Sequence, residues 1–408
     1  MLPFFKVLFS KRILINLLLG FSSGLPLLLT LTALQAWMKD EGVDLKTIGL
    51  VSLIGLPYTL KFFWAPLFDR YVLTFLGLGR RRGWMITIQI LLVLSIAFMS
   101  CANPKVSPLM VVLSAIIVTF FSASQDILLD AYRREILSDN ELGLGSSVFV
   151  NGYRVAMLLS SSGALILADQ LHSWPSVYLI MAGFMSVGII ATLIADEPQS
   201  EAPPPSTLQE AVVGPFVDYF RRDYAMLILA FILFYKLGDT LASSMSTPFY
   251  MDIGFTKTQI GYVVKTFGIG SMLLGTFLGG SLILRLGIYR SLWFFGILQM
   301  ISILPFSYLS MAGPVISLLI VMVIIENLCF GMGTAAYVAL MGSLTNRRFT
   351  ATQYALLSSL MGVPRVILSA PMGKMAELGG WFWYFILCTL AAIPGLLILL
   401  KMRKVLTK

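Results

Sequence analysis

Twelve apolar segments follow one another along the chain, near residues 12–37, 47–68, 84–101, 109–132, 143–168, 175–195, 223–250, 258–284, 290–310, 314–341, 350–375 and 381–401. About 20 residues of helix cross a hydrocarbon core ~30 Å thick. Hydrocarbon offers no partner to a backbone N–H or C=O, so a segment that enters it must satisfy those groups internally. The ten-residue alternation of a β-barrel is not what these segments show. The composition agrees, with 58% of residues hydrophobic and 12% charged. The expected fold is all-α and integral to a membrane, with twelve transmembrane helices. The first segment is expected to be one of them. Its apolar stretch is too long for a cleavable signal, and no small-residue cleavage site follows.

An even helix count puts both termini on one side. Of the 29 Lys and Arg residues, nineteen fall in the termini and loops of that side and five in the opposite loops. The remaining five lie inside helices. The positive-inside rule therefore predicts cytoplasmic termini. The net charge of +9 follows from this rule. No basic run interleaved with aromatics on a soluble domain is present, which argues against nucleic-acid binding. Cys101, Cys329 and Cys388 have no paired spacing and point to neither a zinc site nor a disulfide framework.

Residues 196–222 change character. Their opening, with the run SEAPPPSTLQE, is polar, acidic and proline-rich and reads as neither helix interior nor membrane core. The expected organisation is a six-helix bundle over 1–195, a cytoplasmic linker over 196–222 and a second six-helix bundle over 223–408. A faint repeat supports two related halves. GVDLKTIG at 42–49 is echoed by GFTKTQIG at 254–261, each placing a turn glycine before a capping-type residue.

Charged residues inside such helices normally face a polar interior and mark a substrate or ion path. In SASQDILLDAYR (122–133), Ser122, Asp126 and Asp130 recur at i, i+4 and i+8, and Thr119 and Arg134 extend that face. A carboxylate in low dielectric is protonated more easily, so Asp126 and Asp130 are the expected proton-coupling residues. The fifth segment supplies Asn151, Tyr153 and Arg154, with Arg154 at a depth that would let it pair with Asp126. The second supplies Tyr58 and Lys61. In the other half, Tyr235, Lys236 and Asp239 lie on the seventh segment and Lys265 on the eighth. Glu326 and Asn327 lie on the tenth and Arg365 on the eleventh. An i, i+3 ion pair is expected between Lys236 and Asp239, and Glu326 is expected to find its cation on another helix. Five internal cations stand against four anions, which suits an anionic polar substrate. Rings such as those of Tyr58, Tyr153, Tyr235 and Tyr337 suit sugar faces, and helix packing is an equally good reading of each. This whole set is the expected substrate-binding site. Gly20 with Gly24, and Gly275 with Gly279, are spaced for close helix crossing. His172 is expected in a surface turn.

The stretch APLFDRYVLTFLGLGRRRGW (65–84) carries Asp69-Arg70 and then Arg80, Arg81 and Arg82. It resembles the loop signature of the major facilitator superfamily, with Ala65 where that family usually has Gly. A carboxylate at such a helix end can pair with a cation or a helix N-terminus and latch one conformation. Asp69, Arg70 and Arg80 are the expected gating residues.

The chain as a whole closely resembles the AmpG muropeptide permeases. The segments FSSGLP (21–26), LKFFWAPLFDRY (60–71), GRRRGW (79–84), SASQDILLDAYR (122–133), YKLGD (235–239), ENLCFGMGTAAYVAL (326–340) and TATQYALLSSLMGVPR (350–365) carry the likeness. It implies proton-driven import of anhydro-muropeptides across a bacterial inner membrane, by alternating access between two six-helix bundles. In Gram-negative bacteria such import feeds cell-wall recycling and influences β-lactamase induction. The implied partners are an anionic sugar-peptide, protons and the bilayer. A monomer with no cofactor or metal is expected. The residues alone leave open a carrier or exporter of another polar anion. A membrane-embedded enzyme would need a nucleophile–base pair or metal ligands, which the lone His172 and the isolated cysteines do not supply.

Overall fold

The structure is a computed structural model that describes residues 4–44, 47–48, 54–73, 77–199, 203–367 and 372–403, and every regular element among them is helical. Among the described residues, nine stretches are long and apolar enough to cross a membrane. In chain order the passages are α1 (Lys11–Asp40), the broken α2 (54–70), α3 (Arg80–Ser100), α4 (Pro108–Ile136), α5 (Leu142–Leu171), α6 (Trp174–Ile194) and α7 (Ala225–Asp252). The run Thr258–Ala312 is two passages, α8 and α9, divided at Gly287 with φ 76 and ψ 164. There follow α10 (Ile316–Ser343), α11 (Thr350–Ile367) and, past a second such break at Gly380, α12 within Met372–Lys401. Only glycine adopts that backbone without strain, so both breaks are written into the sequence.

The single helix expected over 47–68 is interrupted. Its described part is an α-turn at Leu56–Leu60, a 3-10 turn at Lys61–Phe63 and a second short helix at Ala65–Arg70. Pro57 and Pro66 each sit in the first turn of a short helix. A proline there has no N–H to return to the preceding turn, so each starts a helix and cannot continue one. Three π turns, at Leu29–Ala33, Leu159–Gly163 and Val264–Gly268, interrupt α1, α5 and α8. Such turns have no signature in hydrophobic periodicity. At the first of them the Tyr178 hydroxyl donates to the Leu29 carbonyl at 3.0 Å. His172 ends α5 in the left-handed region.

The backbone divides into two compact units, Met1–Pro215 with Leu344–Leu356, and Phe216–Ser343 with Leu357–Lys408. The first unit therefore holds the opening of α11 as well as α1 to α6. The linker range also contains a helix, Leu208–Phe220. Its Glu210 pairs with Arg348, and the Gln353 amide donates to the Pro215 carbonyl at 3.1 Å. These bonds hold 344–356 within the first unit. The Ser206 amide, ahead of its hydroxyl and of Arg348, keeps the Glu210 carboxyl below the usual carboxylate range.

Each unit shows the repeated start seen in the sequence. Gly42 and Gly254 both have positive φ. Two residues on, Asp44 accepts the Thr47 amide at 2.9 Å and Thr256 closes a capping box with Gln259. Residues 45, 46 and 49 of the first copy lie outside the described set.

The small-residue pairs do bring helices together. A Cβ on Gly20 or Gly24 would strike the carbonyls of Phe149 or Tyr153 on α5, and one on Gly152 would strike the Leu17 carbonyl on α1. In the second unit Gly275 and Gly279 meet the α10 backbone at Leu328 and Met332 in the same way. Without a hydrophobic drive between helices in lipid, such close approach supplies the packing. Gly24→Ala is expected to cost ~1–3 kcal/mol, as other overpacked sites do. Gly183→Ala, where nothing lies within 4 Å of the new methyl, should be neutral or slightly stabilising. Thermal unfolding of the two detergent-purified variants checks the difference.

Candidate functional site

The first unit builds its polar site on the α4 stripe. The Tyr58 hydroxyl donates to Ser122 at 2.8 Å. One turn on, the Ser23 hydroxyl donates to the Asp126 carboxylate. A further turn on, Asp130 is bridged by Arg133 at 2.7 Å and approached by Lys61 at 4.0 Å. Lys61 is buried, at 6% exposure. The stripe therefore faces α1 and α2. It does not face Arg154, which contacts the Met157 sulfur at 3.8 Å. α1 packs against both α4 and α5, which touch each other little, and so Ser23 takes the place expected of Arg154. Asn151 has a buried carbonyl oxygen without a partner among the described residues, and Tyr153 presents its main-chain carbonyl to Gly24.

The extension of the stripe to Arg134 fails for a geometric reason. A helix turns ~100° per residue, so steps of four drift by ~40° each. After three steps from Ser122 the direction is lost. Arg133 returns to it, and Arg134 pairs outward with Asp139 at 2.7 Å. Arg133 was hidden in the sequence by its place among the loop cations. Its guanidinium stacks on the Phe149 ring at 4.3 Å and donates to the Tyr354 hydroxyl at 2.7 Å.

Near the ends of α2 and α4 lies a second buried cluster. The Asp69 carboxylate is fully buried. It accepts the amides of Ala351 and Thr352 at 3.1 and 2.9 Å, and the Thr352 hydroxyl at 2.7 Å. Both offers expected of it are taken together, because Arg81 also donates to it at 3.0 Å. The helix-terminal amides and their dipole suit an anion. Arg81, not Arg80, is the central cation. It binds Asp69 and Glu135 and donates to the Phe68 carbonyl at 3.0 Å. Arg80 reaches Glu135 at 3.3 Å and the Asp69 carbonyl at 3.4 Å. Arg70 lies over the Tyr71 ring at 5.2 Å. Glu135 escaped the stripe reading because it projects from the far side of α4. Glu197 escaped as well: its carboxylate accepts the amides of Arg81 and Arg82 at 2.8 and 3.0 Å and caps α3.

In the second unit the expected pair of Lys236 and Asp239 is present at 3.5 Å. Gln299 on α9, which periodicity did not single out, donates to Asp239 at 2.6 Å. Lys236 also donates to the Phe330 carbonyl at 3.2 Å and lies 3.8 Å over that ring. Glu326 does not take a cation among the described residues. It accepts the Asn327 amide at 2.7 Å, and Asn327 also reaches the Val323 carbonyl at 2.9 Å. Lys265 sits in the π turn of α8 and is exposed. Tyr235 and Tyr337 stack at 5.7 Å and spend their hydroxyls on the carbonyls of Leu292 and Ile232, which is a packing arrangement. Arg365 lies on α11, with its side chain outside the described residues.

The first unit thus offers a carboxylate held by one hydroxyl and a carboxylate shared by two cations. The second offers a Lys–Asp–Gln triad beside a Glu–Asn pair. Such groups can exchange protons and trade partners with a polar solute, and they are not arranged as a nucleophile with its base.

Comparison with known proteins agrees with this architecture. The sequence matches the Major Facilitator Superfamily over residues 14–369. It is 44% identical over 404 residues to the anhydromuropeptide permease of Escherichia coli (strain K12), covering 99% of this chain and 82% of that one. It is 33% identical to the putative transporter AmpG 4 of Rickettsia felis, covering 98% of both. The crystal structure of the transporter FucP in the outward conformation shares the fold at 12% identity, with a TM-score of 0.74 over 96% of this chain and 99% of that one. The chain is a member of the Major Facilitator Superfamily, in its AmpG-type branch.

Proposed function

We propose that this protein imports anhydro-muropeptides, that is N-acetylglucosamine–anhydro-N-acetylmuramic acid and its peptides, by alternating access. The observation that carries the reading is the 44% identity to an anhydromuropeptide permease along 99% of the chain. Membership of a transporter family makes it a carrier and not an enzyme. The excess of cationic residues on one side supports cytoplasmic termini, and the relatedness to an anhydromuropeptide permease supports an inner-membrane location. The working unit in this reading is a monomer.

Import is driven by the proton gradient. Asp126 is the proton acceptor in this reading. Among the described residues its hydrogen bond comes from the Ser23 hydroxyl, which can donate to the charged form and accept from the protonated one. Asp130 shares that task. Lys61, Arg154, Lys236, Lys265 and Arg365 meet the carboxylates of the cargo. Tyr58, Asn151, Tyr153, Asp239, Glu326 and Asn327 supply hydrogen bonds, and Tyr235 supports them by packing. Asp69 and Arg81, backed by Arg70 and Arg80, act as the latch: opening toward the cytoplasm requires Asp69 to release the first amides of α11.

Labelled muropeptide and proteoliposomes test this. Accumulation is expected when the outside is acidic, and only slow equilibration without a gradient. Absence of uptake under both conditions, with an intact fold, contradicts the substrate. Asp126→Asn keeps the Ser23 bond and removes the titration. It should abolish gradient-driven accumulation and leave substrate exchange within about tenfold of wild type. The latch has its own signature in stability. Arg81→Ala leaves two buried carboxylates without their shared cation and should cost ~3–5 kcal/mol. Arg80→Ala, with longer bonds and with Arg81 left on both carboxylates, should cost less than Arg81→Ala. Thermal unfolding in detergent separates them.

A further inference from the structure

Arg133 joins two groups that otherwise belong to different parts of the mechanism. One nitrogen of its guanidinium donates both to the Asp130 carboxylate and to the Tyr354 hydroxyl, each at 2.7 Å. Asp130 belongs to the polar stripe and is also approached by Lys61 through its other oxygen at 4.0 Å. Tyr354 lies one turn into α11, two residues past the amides held by Asp69. The guanidinium is buried to 2% exposure between the rings of Phe149 and Tyr354, at 4.3 and 5.5 Å. Its second terminal nitrogen is buried without a partner among the described residues. A desolvated cation in this position is held chiefly by the Asp130 charge.

We propose that Arg133 is a positioning residue that makes the hold on the start of α11 depend on the charge at Asp130. With Asp130 ionised, the guanidinium is fixed under Tyr354 and the first turns of α11 stay seated on the first unit. When a cationic group of the cargo takes up the Asp130 charge, the guanidinium loses its anchor and the Tyr354 bond loosens. When a cargo carboxylate draws Lys61 away, Asp130 is left wholly to Arg133 and the bond tightens. The two neighbours of one carboxylate therefore act on α11 with opposite sign. This inference rests on the reading that Lys61 and Asp130 meet the cargo, but its test does not require transport.

Amide hydrogen exchange of the segment 350–356 in the full-length protein in lipid nanodiscs provides that test. Asp130→Asn should speed exchange by on the order of tenfold, the scale of one lost charge-assisted hydrogen bond. Tyr354→Phe should do the same, and the double variant should exceed neither by more than about twofold, because both break one connection. Lys61→Met should slow exchange severalfold, and that slowing should vanish with Tyr354→Phe. Arg133→Lys, which keeps a cation but not the planar fork, should exchange as fast as Tyr354→Phe. Exchange in α3 serves as the folding control. Additive effects of Asp130→Asn and Tyr354→Phe overturn the proposal. So does faster exchange in Lys61→Met, the response of a merely structural contact. Tyr354→Phe removes a single oxygen, so an unchanged rate in that variant also overturns it. Muropeptide uptake measured alongside separates the two readings. The expected exchange pattern without uptake leaves the coupling standing and removes the substrate; uptake without the pattern does the reverse.

Discussion

Hydrocarbon supplies no hydrogen-bond partner, and every other feature of this protein follows from that constraint. Each ionised group that the helices carry inward has to be answered by the protein itself. Asp69 is answered by two amides, a hydroxyl and Arg81. Asp130 is answered by Arg133 and Lys61, and Asp239 by Lys236 and Gln299. A buried charge that loses its partner is costly, whereas one that exchanges partners is not. The same economy that makes the fold tolerate these residues also makes them responsive to a proton or a charged solute.

Helix geometry decides who answers whom. The glycines of α1 let it press against the main chain of α5. The serines beside them, Ser22 and Ser23, then face α4, where they meet Gln125 at 3.3 Å and Asp126. The breaks of α2 at Pro57 and Pro66 turn Tyr58, Lys61 and Trp64 toward α4 as well. Trp64 donates to Ser124 at 3.0 Å. The polar stripe is thus covered by two helices that are each irregular where they cover it.

Much of this was legible in the sequence. Length and hydropathy mark the passages, since the bilayer thickness is imposed from outside the protein. Of the charges read as internal, Lys61 and Asp239 are buried, Asp126, Asp130, Arg154, Lys236 and Glu326 are half-buried and Lys265 is exposed, while the Lys236–Asp239 pair follows from i, i+3 spacing alone. What could not be read has physical causes. Partners on other helices, such as Ser23 for Asp126 or Gln299 for Asp239, depend on packing that periodicity does not encode. Counting by fours led to Arg134 where the 3.6-residue turn favours Arg133. Within the cluster Arg80–Arg82, only the direction of α3 from its first residue decides that Arg81 points inward. Glu197 and the opening of α11 were assigned by chain position to a linker and to the second half. Their bonds tie them to the first unit instead.

The central claim is that cargo and proton move together through these exchanges of partners. The most direct measurement is the luminal pH of proteoliposomes at the moment muropeptide is added outside, with no gradient imposed and the membrane potential clamped. Luminal acidification that tracks substrate arrival, and is absent in Asp126→Asn, is the predicted result. Substrate arrival with the luminal pH unchanged would contradict the account.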